Sequence, residues 1–135
     1  MKKTIKLNII GIFILFLGVS CTKSEPDGIW DDNIKLSQKE VELSAENSSV
    51  LITTEGEWWW IDNINLDGNH INFSDINTTQ NDFIIEKPEF KIERRNTTEI
   101  HIDMFENTTG SVRILKIGLQ AGDYFDYIKT TQLSD

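Results

Sequence analysis

From Ile34 onward, apolar and polar positions alternate with a period of two, in short runs broken by turn-forming residues. That period belongs to β-strands, whose successive side chains point to opposite faces. The runs are "KEVELS" (39–44), "SSVLITT" (48–54), "WWWIDNINL" (58–66), "HINF" (70–73), "FIIE" (83–86) and "FKIERR" (90–95). "TEIHIDMF" (98–105), "SVRILKIGL" (111–119) and "YFDYIKTTQL" (124–133) follow. In 98–105 the face of Ile100, Ile102 and Met104 opposes that of Glu99, His101 and Asp103. Asp67-Gly68-Asn69, Asn107-Thr-Thr-Gly110 and Gln120-Ala-Gly-Asp123 are turn signals between runs, and Pro88 limits pairing around it. No helical period emerges between residues 22 and 135. Seven or more short strands at this spacing predict an all-β, immunoglobulin-like antiparallel β-sandwich over residues 34–135.

One run conflicts with a single core. Trp58, Trp59 and Trp60 are consecutive, so in a strand they cannot share a face. If Trp59 and Ile61 point inward, Trp58 and Trp60 share the outer face, ~6.5–7 Å apart along the strand. Two readings stay open. The outer pair is covered, by the 65–90 segment or by Trp30, or it forms a flat indole surface for stacking against a sugar ring. Asp62 and Asn63 could then hydrogen-bond the sugar hydroxyls.

The first residues change the picture of where the chain works. Met1 to Lys6 is cationic, Leu7 to Val19 almost wholly apolar, and small residues follow. This is the form of a secretory signal over residues 1–20, with an apolar run shorter than the ~20 residues a spanning helix needs. Cys21, the only cysteine, stands where that signal would be cut. "LGVSC" (17–21) resembles a bacterial lipobox, with its leucine four places before the cysteine rather than three. The resemblance implies acylation of Cys21 and insertion of two or three chains into a bilayer, enough for stable anchoring. Residues 21–33 form an acidic tether that resembles the export patches of surface lipoproteins in gut bacteria. The implied location is the bacterial outer membrane, on the cell surface.

Charge excludes one partner class. The chain carries 13 basic and 22 acidic residues; without residues 1–20, which hold three lysines and no acid, the net charge is −12. That field repels phosphate backbones, so no nucleic acid is expected. Arg94-Arg95 reads as a solvated strand end.

Candidate chemistry is sparse. His101 between Glu99 and Asp103 has a conceivable metal spacing, but a ladder of outward polar residues explains it equally, and no metal or other cofactor is expected. The serines lack a nucleophile-elbow setting, and no pair of carboxylates is singled out. The expectation is a non-catalytic protein.

"LSQKEVELSAENSSVLITTEGEWWWI", "NTTGSVRILKIGL" and "DYIKTTQ" together resemble a BACON domain (Bacteroidetes-associated carbohydrate-binding, often N-terminal). Asn107, Thr108 and Arg113 match its turn leading into an alternating strand. Ile128, Thr130 and Gln132 match its final strand, with Thr130 where an apolar residue is usual. The resemblance spans residues 34–133 and implies an immunoglobulin-like sandwich and glycan binding, with Trp58, Trp60, Asp62 and Asn63 as ligand-binding residues. The alternative is an accessory or spacer module that docks on an outer-membrane protein, its indoles anchoring the interface.

Overall fold

The computed structural model describes residues 31–135. The signal, Cys21 and Trp30 lie outside the described residues. Nine strands are present among them: β1 Glu40–Leu43, β2 Ser48–Thr53, β3 Trp60–Leu66, β4 Asn69–His70, β5 Phe83–Glu86, β6 Phe90–Arg95, β7 Glu99–Met104, β8 Arg113–Ala121 and β9 Tyr124–Gln132. They form a five-stranded sheet in the order β1-β9-β8-β3-β4 and a four-stranded sheet in the order β2-β7-β6-β5. This is an all-β, immunoglobulin-like sandwich, as the alternation predicts.

The alternation also decides the faces. Ile100, Ile102 and Met104 of β7 meet Ile92 and Phe90 of β6 on the inner face of one sheet. Leu115, Ile117 and Leu119 of β8, with Ile61 and Ile64 of β3 and Ile128 of β9, line the other. These residues and Trp59 form one hydrophobic cluster.

Three departures from strict alternation matter. First, β1 pairs β9 in parallel, from Glu40↔Lys129 to Leu43↔Gln132, so the sandwich is not wholly antiparallel. Second, β3 begins at Trp60, and Trp58 and Trp59 precede the ladder. Third, a bulge between Ile61 and Asn63 sets Asp62 and Asn63 together against Gly118 of β8. Strict alternation from Ile61 would turn Asn63 inward; the bulge keeps both polar residues outside and returns Ile64 to the core.

The tight turn at Asp67-Gly68 forms as expected, with φ of 49° and 81°. The strand after it is only two residues long, Asn69–His70. Beyond it, Ile71, Phe73 and Ile76 pack against the core, and Thr78 donates to the Ile61 carbonyl at 2.8 Å. The 65–90 segment thus closes the β3 edge of the sandwich rather than covering Trp58.

Arg94 corrects the expectation of a solvated basic pair. It is buried (2% exposed), because its place in β6 shares the inward parity of Ile92 and Phe90. Arg95, one residue on, faces solvent and pairs with Glu93 at 2.6 Å.

Candidate functional site

Trp59 sets the geometry of the tryptophan run. Its ring is buried, and its indole N–H donates to Thr54 Oγ1 at 3.1 Å; that hydroxyl donates in turn to the Gly56 carbonyl. The Arg94 guanidinium lies below it and binds the backbone on both sides of Trp58, at Glu57 O (2.7 Å) and Trp59 O (2.9 Å). With its neighbours' carbonyls drawn inward, Trp58 turns out and is 70% exposed.

The Trp58 ring rests on the β8–β9 turn. A Cβ on Gly122 would lie 3.4 Å from it, and Gly122 itself has φ of 62°. Trp60, half-buried, faces outward in β3, and the two indole centroids stand 5.5 Å apart. Their planes meet at 73°, edge to face. The expected flat surface is therefore a corner: two rings meeting near a right angle, each offering a face to a different direction. Edge-to-face contact is a favoured arrangement for aromatic pairs, and here it fixes both rings.

Asp62 and Asn63 are exposed beside this corner, brought to one spot by the bulge. A Cβ on Gly118 would meet Asp62 Oδ1 at 2.8 Å and Asn63 Cβ at 3.2 Å, so both side chains lean over the glycine. Asn65 Nδ2 donates to Asn63 Oδ1 at 3.0 Å and orients that amide. All four candidate residues thus lie on or beside the outer face of the five-stranded sheet.

The same face continues across β8 and β9. The register aligns Trp60 with Gln120 and Gln120 with Phe125; the next row aligns Asn63 with Gly118 and Gly118 with Tyr127. Phe125 and Tyr127 are exposed, and Lys116 Nζ sits 4.4 Å from the centroid of the Tyr127 ring. These β9 aromatics were not singled out from sequence. Their signal was the phase of "YFDYIKTTQ", in which 125 and 127 oppose the buried 128, 130 and 132.

The other motif residues gather elsewhere. At the opposite end of β8, Arg113 donates to Gln132 Oε1 (2.9 Å) and to the Phe105 carbonyl (3.0 Å). Gln132 Nε2 donates to the carbonyl of Phe105, and Asn107 Nδ2 to those of Ser111 and Leu133. Asn107, Arg113 and Gln132 thus tie loops to strand ends, a scaffold role. Thr108 is exposed, Ile128 sits in the core, and Thr130 is buried with its hydroxyl unpartnered.

His101 lies on the outer face of the four-stranded sheet, its Nε2 2.9 Å from Glu99 Oε2. Asp103 accepts from Ser49 at 2.7 Å and pairs with Lys91 at 2.9 Å. Burial alone would raise the Asp103 pKa, but these two partners outweigh it and hold the carboxyl below its ordinary value. Among the described residues no group of three or more His, Cys, Asp or Glu is placed to hold a metal ion.

Fold and face together define a β-sandwich module with an open aromatic surface on its five-stranded sheet. A protein from Bacteroides thetaiotaomicron solved by NMR has a similar structure, at 24% identity and a TM-score of 0.61 over 83% of this chain and 95% of that one. Titin domain M7 is matched at 8% identity and a TM-score of 0.46, over 76% of this chain and 95% of that domain. The first likeness is one of fold. No family model and no curated protein matches the sequence.

Proposed function

We propose that this chain is a non-catalytic, lipid-anchored module of the BACON kind on the bacterial cell surface, and that it binds glycans through Trp58 and Trp60. Asp62 and Asn63 supply hydrogen bonds to sugar hydroxyls. The observation that carries the reading is the exposure of Trp58 (70%) on a backbone held from both sides. Leaving a ring of that size in water forgoes on the order of 3 kcal/mol of burial. A rigid, wet indole next to free polar groups suits the C–H face of a pyranose, which meets a π face as a cation does, more weakly.

The test is affinity titration of the full-length protein against a glycan panel. Trp58→Ala and Trp60→Ala each weaken binding about tenfold, the loss typical of a central aromatic contact. No binding by the wild type, or unchanged binding by both variants, overturns the reading. Recovery from membranes of one stoichiometric protein partner, insensitive to free sugar, assigns the indoles to a protein interface instead. Anchoring is tested separately: Cys21→Ser moves the protein from the membrane fraction to the soluble one.

A further inference from the structure

Two further concavities lie away from the aromatic face. One, of about 380 Å³, lies at the β5 edge beside Asp82, Ile84 and Arg95; the other, about 340 Å³, lies between β1 and β9 and is lined by Glu40, Glu42 and Lys129. At the first, Arg95 pairs with Glu93 and the Asp82 carboxylate accepts from the Asn96 amide; at the second, Glu40 stands opposite Lys129 in register and Glu42 opposite Thr131. Neither presents an aromatic side chain to solvent beside uncommitted polar atoms.

The aromatic face does. Resting on the glycan-binding reading above, we infer that the site is an aromatic strip running across three strands, from Trp60 past Gln120 to Phe125 and Tyr127, and that it takes an internal stretch of a linear, uncharged glycan.

Gly118 is the outward residue at the centre of β8, level with Asn63 on one side and Tyr127 on the other, and the place its side chain would take is filled by the Asp62 carboxylate leaning across it. Glycine inside a strand marks a close approach by another group. Trp60 and Phe125 flank Gln120 two strands apart, roughly 9.5 Å from ladder spacing. That span matches two rings of an extended sugar chain. Phe125 and Tyr127 are exposed and Trp60 is half-buried, so the contacts are spread along the sheet face and suit a run of units over a single terminal sugar.

The polar groups are suited to hydroxyls. The Asp62 carboxylate forms no ion pair among the described residues. Gln120 Nε2 donates to the Gly122 carbonyl at 2.8 Å, which leaves its own side-chain oxygen as an acceptor. A carboxylate and an amide oxygen accept from neighbouring hydroxyls of a sugar.

Charge selects the class. The acids nearest this strip are Asp62, with Glu57 and Asp123 exposed at the Trp58 end. They outnumber the cations of the same face, Lys116, which keeps its charge against the Tyr127 ring, and Lys129, which stands opposite Glu40 in register. With a net charge of −9 for the whole chain, this surface repels uronates and sulfated sugars.

The experiment titrates full-length protein with soluble β-glucan, xyloglucan and galactomannan, against polygalacturonate and chondroitin sulfate. Oligosaccharides of increasing length and the free monosaccharides serve as competitors. At least one neutral polymer binds, and the polyanions do not. Phe125→Ala and Tyr127→Ala each reduce affinity about fivefold or more, with urea midpoints unchanged. Competition strengthens with oligosaccharide length. Binding that depends on Trp58 and Trp60 but ignores both β9 substitutions overturns the three-strand strip and leaves the glycan reading standing. So does a preference for a polyanion, or equal competition by a monosaccharide. If no glycan binds at all, both readings fall together.

Discussion

The Arg94 guanidinium carbon lies 3.7 Å from the centroid of the Trp59 ring, stacked beneath the one indole of the triplet that enters the core. Its N–H groups donate to four backbone carbonyls, those of Glu57, Trp59, Gln80 and Thr97. Burial lowers its pKa and the Asp82 carboxylate partly offsets that, yet a guanidinium keeps its charge at any ordinary pH. One side chain thus joins the Trp58 backbone to the β4–β5 loop and the β6–β7 turn. Lysine has neither the flat fork nor the stacking surface. Arg94→Lys is expected to lower stability by about 3 kcal/mol, as uncompensated buried charges do, measured by urea denaturation. Under the proposed function it is also expected to weaken glycan binding, because Trp58 loses its backbone anchors.

Thr130 carries the opposite fault, a hydroxyl in the core with no hydrogen-bond partner among the described residues. Its inward neighbours in register and parity are Leu115 and Ile128. Thr130→Val replaces the hydroxyl with a methyl group of nearly the same shape and removes the desolvation cost. Stability should rise by about 1 kcal/mol, read as a higher urea midpoint at constant m-value.

Tyr124 makes stability depend on alkaline pH. Burial, then the nearby Asp126 and Asp32 carboxylates, push its pKa up to about 12. Its hydroxyl donates to Asp126 Oδ2 at 3.2 Å, an oxygen that also pairs with Lys39 at 2.8 Å. The raised folded pKa favours the neutral form in the native state. That contribution is therefore complete below the ordinary tyrosine value of 10.0 and is lost as pH rises toward 12. Tyr124→Phe should flatten the fall in urea midpoint across this window. In an absorbance titration, the wild-type-minus-variant difference should show a phenol ionising later than a free tyrosine.

Gly56 admits no side chain. A Cβ there would stand 1.9 Å from the Asn33 carbonyl oxygen, in backbone that Gly56 N ties to Ile34 O at 3.1 Å. Backbone cannot swing aside as a flexible side chain can. Gly56→Ala should cost about 3 kcal/mol and loosen residues 31–36, visible as faster amide exchange at Gly56 and Glu55.

How much of this was legible depended on the range of the interaction. The limits of β5 and β6 could be read from "FIIE" and "FKIERR", because local alternation and Pro88 between them suffice. That Trp59 and Ile61 share a face was legible from alternation, but not that this face is the inner one. The bulge was not: Asp62 and Asn63 are polar whether or not a residue is inserted, and only the Gly118 partner across the ladder reveals it. Arg94 was misread because a charged residue at an inward position looks like a strand end until its four carbonyl acceptors are known. The β9 aromatics had the right phase, but placing them beside Trp60 needs the strand order. Nor does alternation carry the sense of pairing between β1 and β9, which are separated by most of the domain.

That last pairing has a mechanical consequence. Because β1 and β9 run the same way, Glu40 lies beside Lys129 and Leu43 beside Gln132. A force drawn between the chain entering β1 and the chain leaving β9 therefore pulls from opposite ends of the shared ladder. The rungs are loaded in shear and must yield together, whereas an antiparallel pair held by the same two points would unzip one bond at a time. A module loaded between those two points would gain resistance to tearing from this arrangement.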